Sequence, residues 1–210
     1  NHDGVVPSQI LAITFTNKAA REMAERVTAE VGGAARGMWV STFHSSCVRI
    51  LRREAKRLNM TTSFSIYDSA DSQRLLTLVA RDLDLDPKRY SARSLAVRIS
   101  NAKNELVDYE DFRRRAEQPE ELLLAEVYTE YQRRLLRANA FDFDDLIGAT
   151  VALLQMFPDV AEHYHRRFRH ILVDEYQDTN HAQYVLVKEL VGSGDDGVPP
   201  AQLCVVGDAD

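Results

Sequence analysis

The segment Ile171-Leu172-Val173-Asp174-Glu175 decides the fold class, because an apolar run leads directly into two adjacent carboxylates. Short apolar runs without polar alternation are typical of strands in a parallel sheet that is covered on both faces. Ligands of such sheets bind beyond the carboxyl ends of the strands, where a carboxylate can hold Mg²⁺. A second acid beside it can orient or deprotonate an attacking water. Strands also end in acids because acids suit turns, and spacing alone leaves that alternative open.

Three further apolar runs predict strands, at residues 10–14, 38–42 and 202–206. The first two are followed by helical patterns at 18–31 and 43–58, and a Gly-Gly pair ends the first of these helices. A strand–helix–strand–helix order is the sequence sign of an α/β fold with a parallel sheet.

Residues 59–155 have a different character, since apolar residues there recur at helical spacing and the pattern contains no convincing strand. Helices are predicted near 68–79, 95–102, 111–116, 121–138 and 144–156. Because the α/β pattern resumes at Ile171, we interpret this part as an all-helical subdomain inserted into one α/β domain. The predicted division is a first α/β part, the helical insertion and a second α/β part, at residues 1–44, 45–155 and 156–210.

The composition is that of a globular protein and excludes disordered and fibrous chains, since 45% of the 210 residues are hydrophobic and 28% are charged. No apolar run approaches the roughly 18–20 residues needed to cross a bilayer. The two cysteines, Cys47 and Cys204, are far apart in sequence. This spacing argues against a disulfide framework and predicts a reducing, cytoplasmic location.

Charge is distributed unevenly along the chain. The formal net charge is −6, yet residues 45–104 hold 12 Lys and Arg against 6 Asp and Glu. A basic stretch of this kind can contact phosphates, and it can equally be the solvated face of helices.

Two further strand ends carry aromatic and polar residues. Phe15 follows the first strand and precedes Thr16-Asn17 at a helix N-terminus, an arrangement that can stack a base and hold a phosphate. Phe43 and His44 follow the second strand in the same way. The alternative in each case is a core phenylalanine beside an ordinary helix cap.

For two acidic segments, an ordinary structural role is an alternative to ligand binding. Asp142, Asp144 and Asp145 lack the glycine and the distal glutamate of a calcium loop, which favours helix capping. The Gly207-Asp208 pair after the last predicted strand can be part of a phosphate-sensing loop or a plain turn.

Taken together, these strings resemble the motifs of the UvrD/PcrA/Rep helicases of superfamily one. Residues 13–23 resemble motif Ia, and Thr42-Phe43-His44-Ser45 resembles the motif that follows it. Residues 141–146 are similar to the motif near the end of the family's helical insertion. Residues 174–180 resemble motif II, the Walker B box, and 207–210 resemble the start of motif III. Five motifs in this order identify the family.

The resemblance implies the first motor domain of a DNA helicase, with a RecA-like α/β fold of the P-loop NTPase type interrupted by a helical subdomain. It implies that Asp174 coordinates Mg²⁺ and that Glu175 is the base for water attack on the γ-phosphate of ATP. It also implies that Gln177 and Asp208 contact the nucleotide site, with Gln177 linking it to the DNA groove. The residues implied to face single-stranded DNA are Phe15, Asn17, Thr42 and His44.

Some parts of the family pattern are absent from this sequence. No G-x-x-x-x-G-K-[ST] string occurs, and in the family that phosphate-binding loop lies upstream of motif Ia. Motif III stops at Asp210, and no second motor domain follows it. We therefore expect the chain to be a fragment of a larger helicase that does not hydrolyse ATP alone.

For the parent protein the resemblance predicts ATP-driven, 3′→5′ translocation on single-stranded DNA, with duplex unwinding at single-strand/duplex junctions. A role in DNA repair, with repair proteins as partners, is the expected setting. Two alternatives stay open at this point. The chain can be the motor portion of a helicase–nuclease, or a non-enzymatic module that binds DNA or docks a partner.

Overall fold

The computed structural model describes residues 4–207, in which strands and helices alternate at both ends of the chain. The strands are β1 (Ile10–Thr14), β2 (Trp39–Thr42), β3 (Ser65–Tyr67), β4 (Ala140–Asp142), β5 (His170–Val173) and β6 (Gln202–Val205). The first helices are α1 (Asn17–Val31), α2 (Phe43–Glu54), α3 (Ser69–Asp82), α4 (Ala92–Asn104) and α5 (Tyr109–Arg115). The others are α6 (Pro119–Arg137), α7 (Phe143–Met156), α8 (Pro158–Arg167) and α9 (His181–Val191). No helix among these residues is both long and apolar enough to pass through a membrane.

The described chain divides into two compact units. The sheet unit comprises residues 4–50 and 150–207, and the helix unit comprises residues 51–149. Within the sheet unit the strands lie in the order β2-β1-β5-β6, and all neighbouring pairs are parallel. The predicted α/β class with a parallel sheet is confirmed.

The central strand β1 of the sheet is buried, whereas the outer strand β6 is exposed. Leu11, Ala12 and Ile13 of β1 are at most 1% exposed, as a strand between two covered faces should be. In contrast, Leu203 and Val205 of β6 are each 45% exposed. The prediction of a sheet covered on both faces is therefore right for β1 and wrong for β6, which lies at the edge.

The helix unit contains a feature that the sequence did not predict. β3 and β4 pair in parallel, with Ser65 opposite Ala140 and Tyr67 opposite Asp142. The prediction that this region is entirely helical is wrong, because each strand has only three residues and hydrophobic periodicity cannot reveal so short a run. α8 and α9 in the sheet unit were also not predicted.

The long helix α6 organises the apolar core of the helix unit. Its buried residues include Leu124, Tyr128, Tyr131 and Leu135, which lie on one face at the predicted helical spacing. They pack with residues of α3 and α4 that include Leu76, Val79, Leu95 and Ile99. α3 begins with a capping box in which Asp68 and Asp71 each accept the other's backbone N–H.

A buried charged network lies beside this core. The Lys103 ammonium donates to Asp142 Oδ2 at 2.6 Å and lies 2.9 Å from Asp145 Oδ1. The Tyr131 hydroxyl donates to the same Asp142 oxygen at 2.8 Å. Asp142 Oδ1 also accepts the Asp145 N–H at 2.8 Å, and Asp145 Oδ2 accepts the Asp142 N–H at 3.2 Å, as α7 begins. The helix-capping role predicted for these two acids is confirmed.

The single Lys103 ammonium therefore pairs with the Asp142 and Asp145 carboxylates in a site that is almost completely buried. Burial acts to lower the pKa of Lys103, but the two carboxylates outweigh it and raise that pKa. Burial acts to raise the pKa of Asp142, yet the charge of Lys103 holds it below its ordinary value. Burial raises the pKa of Asp145 to about 6, since Lys103 only partly offsets burial and the nearby Asp142 charge.

We expect Lys103→Met to lower the free energy of unfolding by about 3 kcal/mol, because removing one partner leaves buried carboxylates uncompensated. Lys56→Met is the matched control, because Lys56 is exposed and surface changes cost less than about 0.5 kcal/mol. Urea unfolding of both variants measures the difference. Equal stability of the two variants would show that the network contributes nothing.

The Asp145 carboxyl should make stability depend on pH in a defined direction. Its pKa in the folded state is about 6 and about 3.9 in an unfolded chain. The folded state then binds the proton more readily, so stability rises as the pH falls from about 7 to about 5. We expect the wild-type chain to gain about 1 kcal/mol over Asp145→Asn in that interval, measured by urea unfolding at both pH values. A gap between the two proteins that does not change with pH contradicts this assignment.

Candidate functional site

The carboxyl edge of the sheet brings the chemically interesting segments together. The pairing places Thr14 opposite Thr42, Ile13 opposite Val173, and Val173 opposite Val205. Because parallel strands end at a common edge, the residues that follow each strand lie at that edge. The structure thus gathers Phe15, Phe43 and Asp174 at the ends of three neighbouring strands.

Backbone hydrogen bonds fix the segment that carries the acidic pair. The Asp174 N–H donates to Ile13 O at 3.0 Å, which extends the pairing with β1 beyond the end of β5. On the other side, Val206 N–H donates to Val173 O at 2.9 Å and Tyr176 N–H donates to Val206 O at 3.0 Å. The pair Asp174-Glu175 is therefore held between β1 and the chain that follows β6.

The Asp174 carboxylate is half-buried at the end of β5, and its Oδ1 accepts the Glu175 N–H at 3.0 Å. Proteins hold Mg²⁺ with one or two carboxylates together with waters and phosphate oxygens. A single carboxylate at the end of a parallel strand fits that coordination chemistry. Residues 4–207 contain no cluster of three or more His, Cys, Asp or Glu arranged to hold a metal by themselves.

Glu175 has an unusual backbone conformation. Its φ and ψ are 54° and 43°, the left-handed region, and its side chain is exposed. A non-glycine residue in this region stores roughly 1–3 kcal/mol of strain, and such residues cluster at functional sites. The turn is closed by Asp178 N–H, which donates to Glu175 O at 3.0 Å. No sequence pattern predicted this conformation, because glutamate has no preference for it.

Gln177 meets the chain that follows β6. A Cβ atom added to Gly207 would collide with the Gln177 Oε1 and would lie 3.5 Å from its Cδ. The contact depends on glycine at position 207. The motifs that contain Gln177 and Gly207, taken one at a time, do not predict it. Asp208, the other predicted nucleotide contact, lies outside the described residues.

Phe15 and Asn17 lie where β1 passes into α1. The Phe15 ring is half-buried and meets the buried Phe43 ring edge to face, with centroids 5.3 Å apart. Thr16 is the N-cap of α1, and its Oγ1 accepts the Ala19 N–H at 3.0 Å. Asn17 is the first residue of the helix and is exposed. Phe15 thus combines packing against Phe43 with a partly exposed ring.

Thr42 and His44 lie where β2 passes into α2. Thr42 is only 8% exposed, and its hydroxyl accepts the Ser45 N–H at 3.1 Å while donating to Ser45 Oγ at 3.0 Å. This hydroxyl is therefore committed to the start of α2. His44 is half-buried in the first turn of that helix. The predicted DNA contacts of Phe15, Asn17, Thr42 and His44 stay predictions.

A parallel α/β sheet with an acidic pair held at its carboxyl edge is an arrangement found in many nucleotide-binding α/β proteins. Comparison with known sequences gives the family. The profile of the UvrD/REP helicase N-terminal domain matches residues 1–210, and the chain belongs to this family. The resemblance inferred from five short motifs is confirmed.

Relatives from several bacteria match nearly the whole chain. It is 64% identical over 212 residues to the ATP-dependent DNA helicase UvrD1 of Mycobacterium tuberculosis, a match that covers 99% of this chain and 28% of that protein. It is 48% identical over 206 residues to the ATP-dependent DNA helicase PcrA of Bacillus subtilis, covering 98% of this chain and 27% of that protein. The chain therefore spans little more than a quarter of the length of these relatives.

The strained conformation of Glu175 can be tested through stability. We expect Glu175→Gly to unfold with a free energy about 1 kcal/mol higher than Glu175→Ala, because both remove the carboxylate but only glycine accepts a positive φ without strain. Asn59 also has a positive φ, of 59°, so Asn59→Gly and Asn59→Ala form a matched control pair. Denaturant unfolding of the four variants measures both differences. If Glu175→Ala were the more stable of its pair, the left-handed backbone at this position would be refuted.

Proposed function

We propose that this chain is part of the first motor domain of an ATP-dependent DNA helicase that couples ATP hydrolysis to 3′→5′ translocation on single-stranded DNA and to duplex unwinding. The observation that carries the proposal is the acidic pair Asp174-Glu175, fixed at the carboxyl edge of a parallel sheet by bonds to β1 and to the chain after β6. The family assignment supports it, as does the fact that the relatives UvrD1 and PcrA are named ATP-dependent DNA helicases.

In this proposal the two carboxylates have different roles. Asp174 would hold Mg²⁺, which when bound neutralises phosphate charge in the transition state. Glu175 would accept the proton of the water that attacks the γ-phosphate of ATP. Its exposed carboxylate, directly after Asp174, is accessible to such a water. Gln177, which contacts Gly207, would relate the nucleotide site to the DNA groove.

The proposed DNA face uses the tips of β1 and β2. Stacking of a base on an aromatic ring is worth about 1–3 kcal/mol and tolerates any base, as translocation along arbitrary sequence requires. Phe15 provides a partly exposed ring braced by Phe43. Asn17, two residues after Phe15, and His44, directly after Phe43, supply polar groups. Thr42 holds the start of α2 through its bond to the Ser45 N–H.

We further propose that residues 45–155 form a subdomain inserted into a RecA-like motor domain, which would lie near the single-strand/duplex junction. The excess of Lys and Arg in residues 45–104 supports a location close to phosphates. DNA repair, with repair proteins as partners, is the setting that the family suggests.

The catalytic roles predict the behaviour of variants of the full-length parent protein. Asp174→Ala and Glu175→Gln should each abolish DNA-stimulated ATP hydrolysis, because one removes the metal ligand and the other the base. Asp178→Asn, in the same turn, is the matched control and should retain most of the activity. Steady-state phosphate release measures all three. Wild-type turnover by Glu175→Gln would refute the assignment of the base.

The 210-residue chain by itself should release no more phosphate from ATP than its own Glu175→Gln variant, because its sequence has no phosphate-binding loop. Phosphate release measured on the full-length parent protein distinguishes a helicase from the non-enzymatic alternative. A parent protein that binds DNA but never hydrolyses ATP would be a binding module rather than a motor.

The proposed DNA face predicts an effect on DNA binding that is separate from any effect on nucleotide binding. In the full-length protein, Phe15→Ala should weaken binding of single-stranded DNA by about 1–3 kcal/mol, the cost of one lost stacking contact. Nucleotide affinity should change much less. Tyr109→Ala in α5, a half-buried aromatic of the helix unit, serves as control. Fluorescence anisotropy with a labelled oligonucleotide measures the affinity, and unchanged binding by Phe15→Ala would remove Phe15 from the DNA face.

A further inference from the structure

Trp39 is the only tryptophan in the sequence, and two arginines approach its ring. The guanidinium carbon of Arg49 lies 3.8 Å from the ring centroid, and that of Arg167 lies 5.2 Å from it. The indole is only 7% exposed and packs edge to face on the Phe168 ring, with centroids 4.9 Å apart. Aromatic packing therefore holds the indole in place close to two cations.

These groups carry hydrogen-bond donors that nothing in residues 4–207 accepts. The Trp39 Nε1 and the Arg167 Nε are both buried and have no hydrogen-bond partner in this part of the chain. Leaving a buried donor unpaired is costly, and native proteins contain few such donors. Two such donors at one tryptophan can be paired by an acceptor from outside the chain, which is either an ordered water or a bound anion.

The electrostatics point to an anion. The pKa of the Arg49 guanidinium is lowered, first by burial and then by the positive charge of Arg167. The neighbouring Arg166 is different, because its guanidinium bonds the Glu162 carboxylate at 2.8 Å. Arg49 and Arg167 are thus two like charges beside one indole, and a negatively charged ligand that contacts both would offset their repulsion.

The position of the cluster separates it from the acidic pair. Trp39 is the first residue of β2, and Arg167 is the last residue of α8, three residues before β5 begins. Both lie at the amino-terminal edge of the parallel strands, whereas Asp174 lies at the carboxyl edge. The unpaired donors are therefore at the opposite end of the strands from the proposed Mg²⁺ ligand.

We propose that Arg49, Arg167 and the indole N–H of Trp39 form a binding site for a phosphate group. Guanidinium groups match phosphate oxygens in geometry as well as in charge. A phosphate monoester carries about −1.5 to −2 at neutral pH and offers three strong acceptor oxygens. That charge balances two guanidiniums, whereas a single carboxylate would balance only one.

Trp39 is itself the reporter for the test, because no other tryptophan contributes to the fluorescence of the chain. Inorganic phosphate is titrated into the 210-residue chain at constant ionic strength, with chloride and acetate titrated in parallel. We expect a saturable change in Trp39 emission with phosphate and none with chloride or acetate. An equal response to acetate, or a response to phosphate that never saturates, overturns the proposal.

Variants connect the signal to the site. Arg49→Gln and Arg167→Gln should each raise the dissociation constant for phosphate about tenfold or more, since each removes a charged hydrogen-bond donor. Arg166→Gln, which lies next in sequence and is paired with Glu162, should bind as the wild type does. Because Arg49 is exposed, its replacement should leave the chain folded, and this variant decides the question even if Arg167→Gln folds poorly. Undiminished binding by Arg49→Gln overturns the proposal.

A second titration identifies the source of the phosphate. A short single-stranded oligonucleotide without terminal phosphates presents only phosphodiesters, whereas inorganic phosphate resembles a monoester. A response to inorganic phosphate alone assigns the site to a free or monoester phosphate. A response to the oligonucleotide that is lost in Arg49→Gln assigns it to a nucleic-acid backbone. The absence of both responses overturns the proposal.

Discussion

The arrangement of the sheet unit depends on the backbone hydrogen bonds on either side of β5. The strand continues its pairing beyond Val173, because Asp174 N–H donates to β1 and the chain after β6 bonds back to Val173 and Tyr176. These bonds hold a turn that contains a left-handed glutamate, whose strain an isolated loop would relax. The position of two carboxylates is thus set by backbone pairing with two other segments.

A second constraint governs the helix unit. Lys103 lies between two acids in a site from which water is largely excluded, and Tyr131 supplies a further donor. The chain segments involved are far apart in sequence, since Lys103 belongs to α4 and Asp142 ends β4. A buried ion group of this kind adds little to stability compared with apolar packing, but it disfavours every arrangement in which one partner is missing. It therefore favours the arrangement of β4, α7 and α4 in which all three charged groups are paired.

Much of this structure could be predicted from local sequence. β1 and β5 are uninterrupted apolar runs, α3 carries its capping box in sequence, and α6 shows its buried face at regular spacing. The acidic pair and Phe15 could be placed at strand ends for the same reason. β3 and β4 could not be predicted, because a three-residue strand exists only through pairing with a partner about 75 residues away. The left-handed Glu175 and the unpaired donors around Trp39 likewise arise from tertiary contacts that leave no local pattern.

The absence of a side chain at Gly207 has a mechanical consequence. The amide of Gln177 occupies the space that any larger residue there would need, and a few atoms away Tyr176 bonds to Val206. The segments that follow β5 and β6 are therefore joined by a backbone hydrogen bond and by a side-chain contact, and any residue with a side chain at position 207 would displace the Gln177 amide.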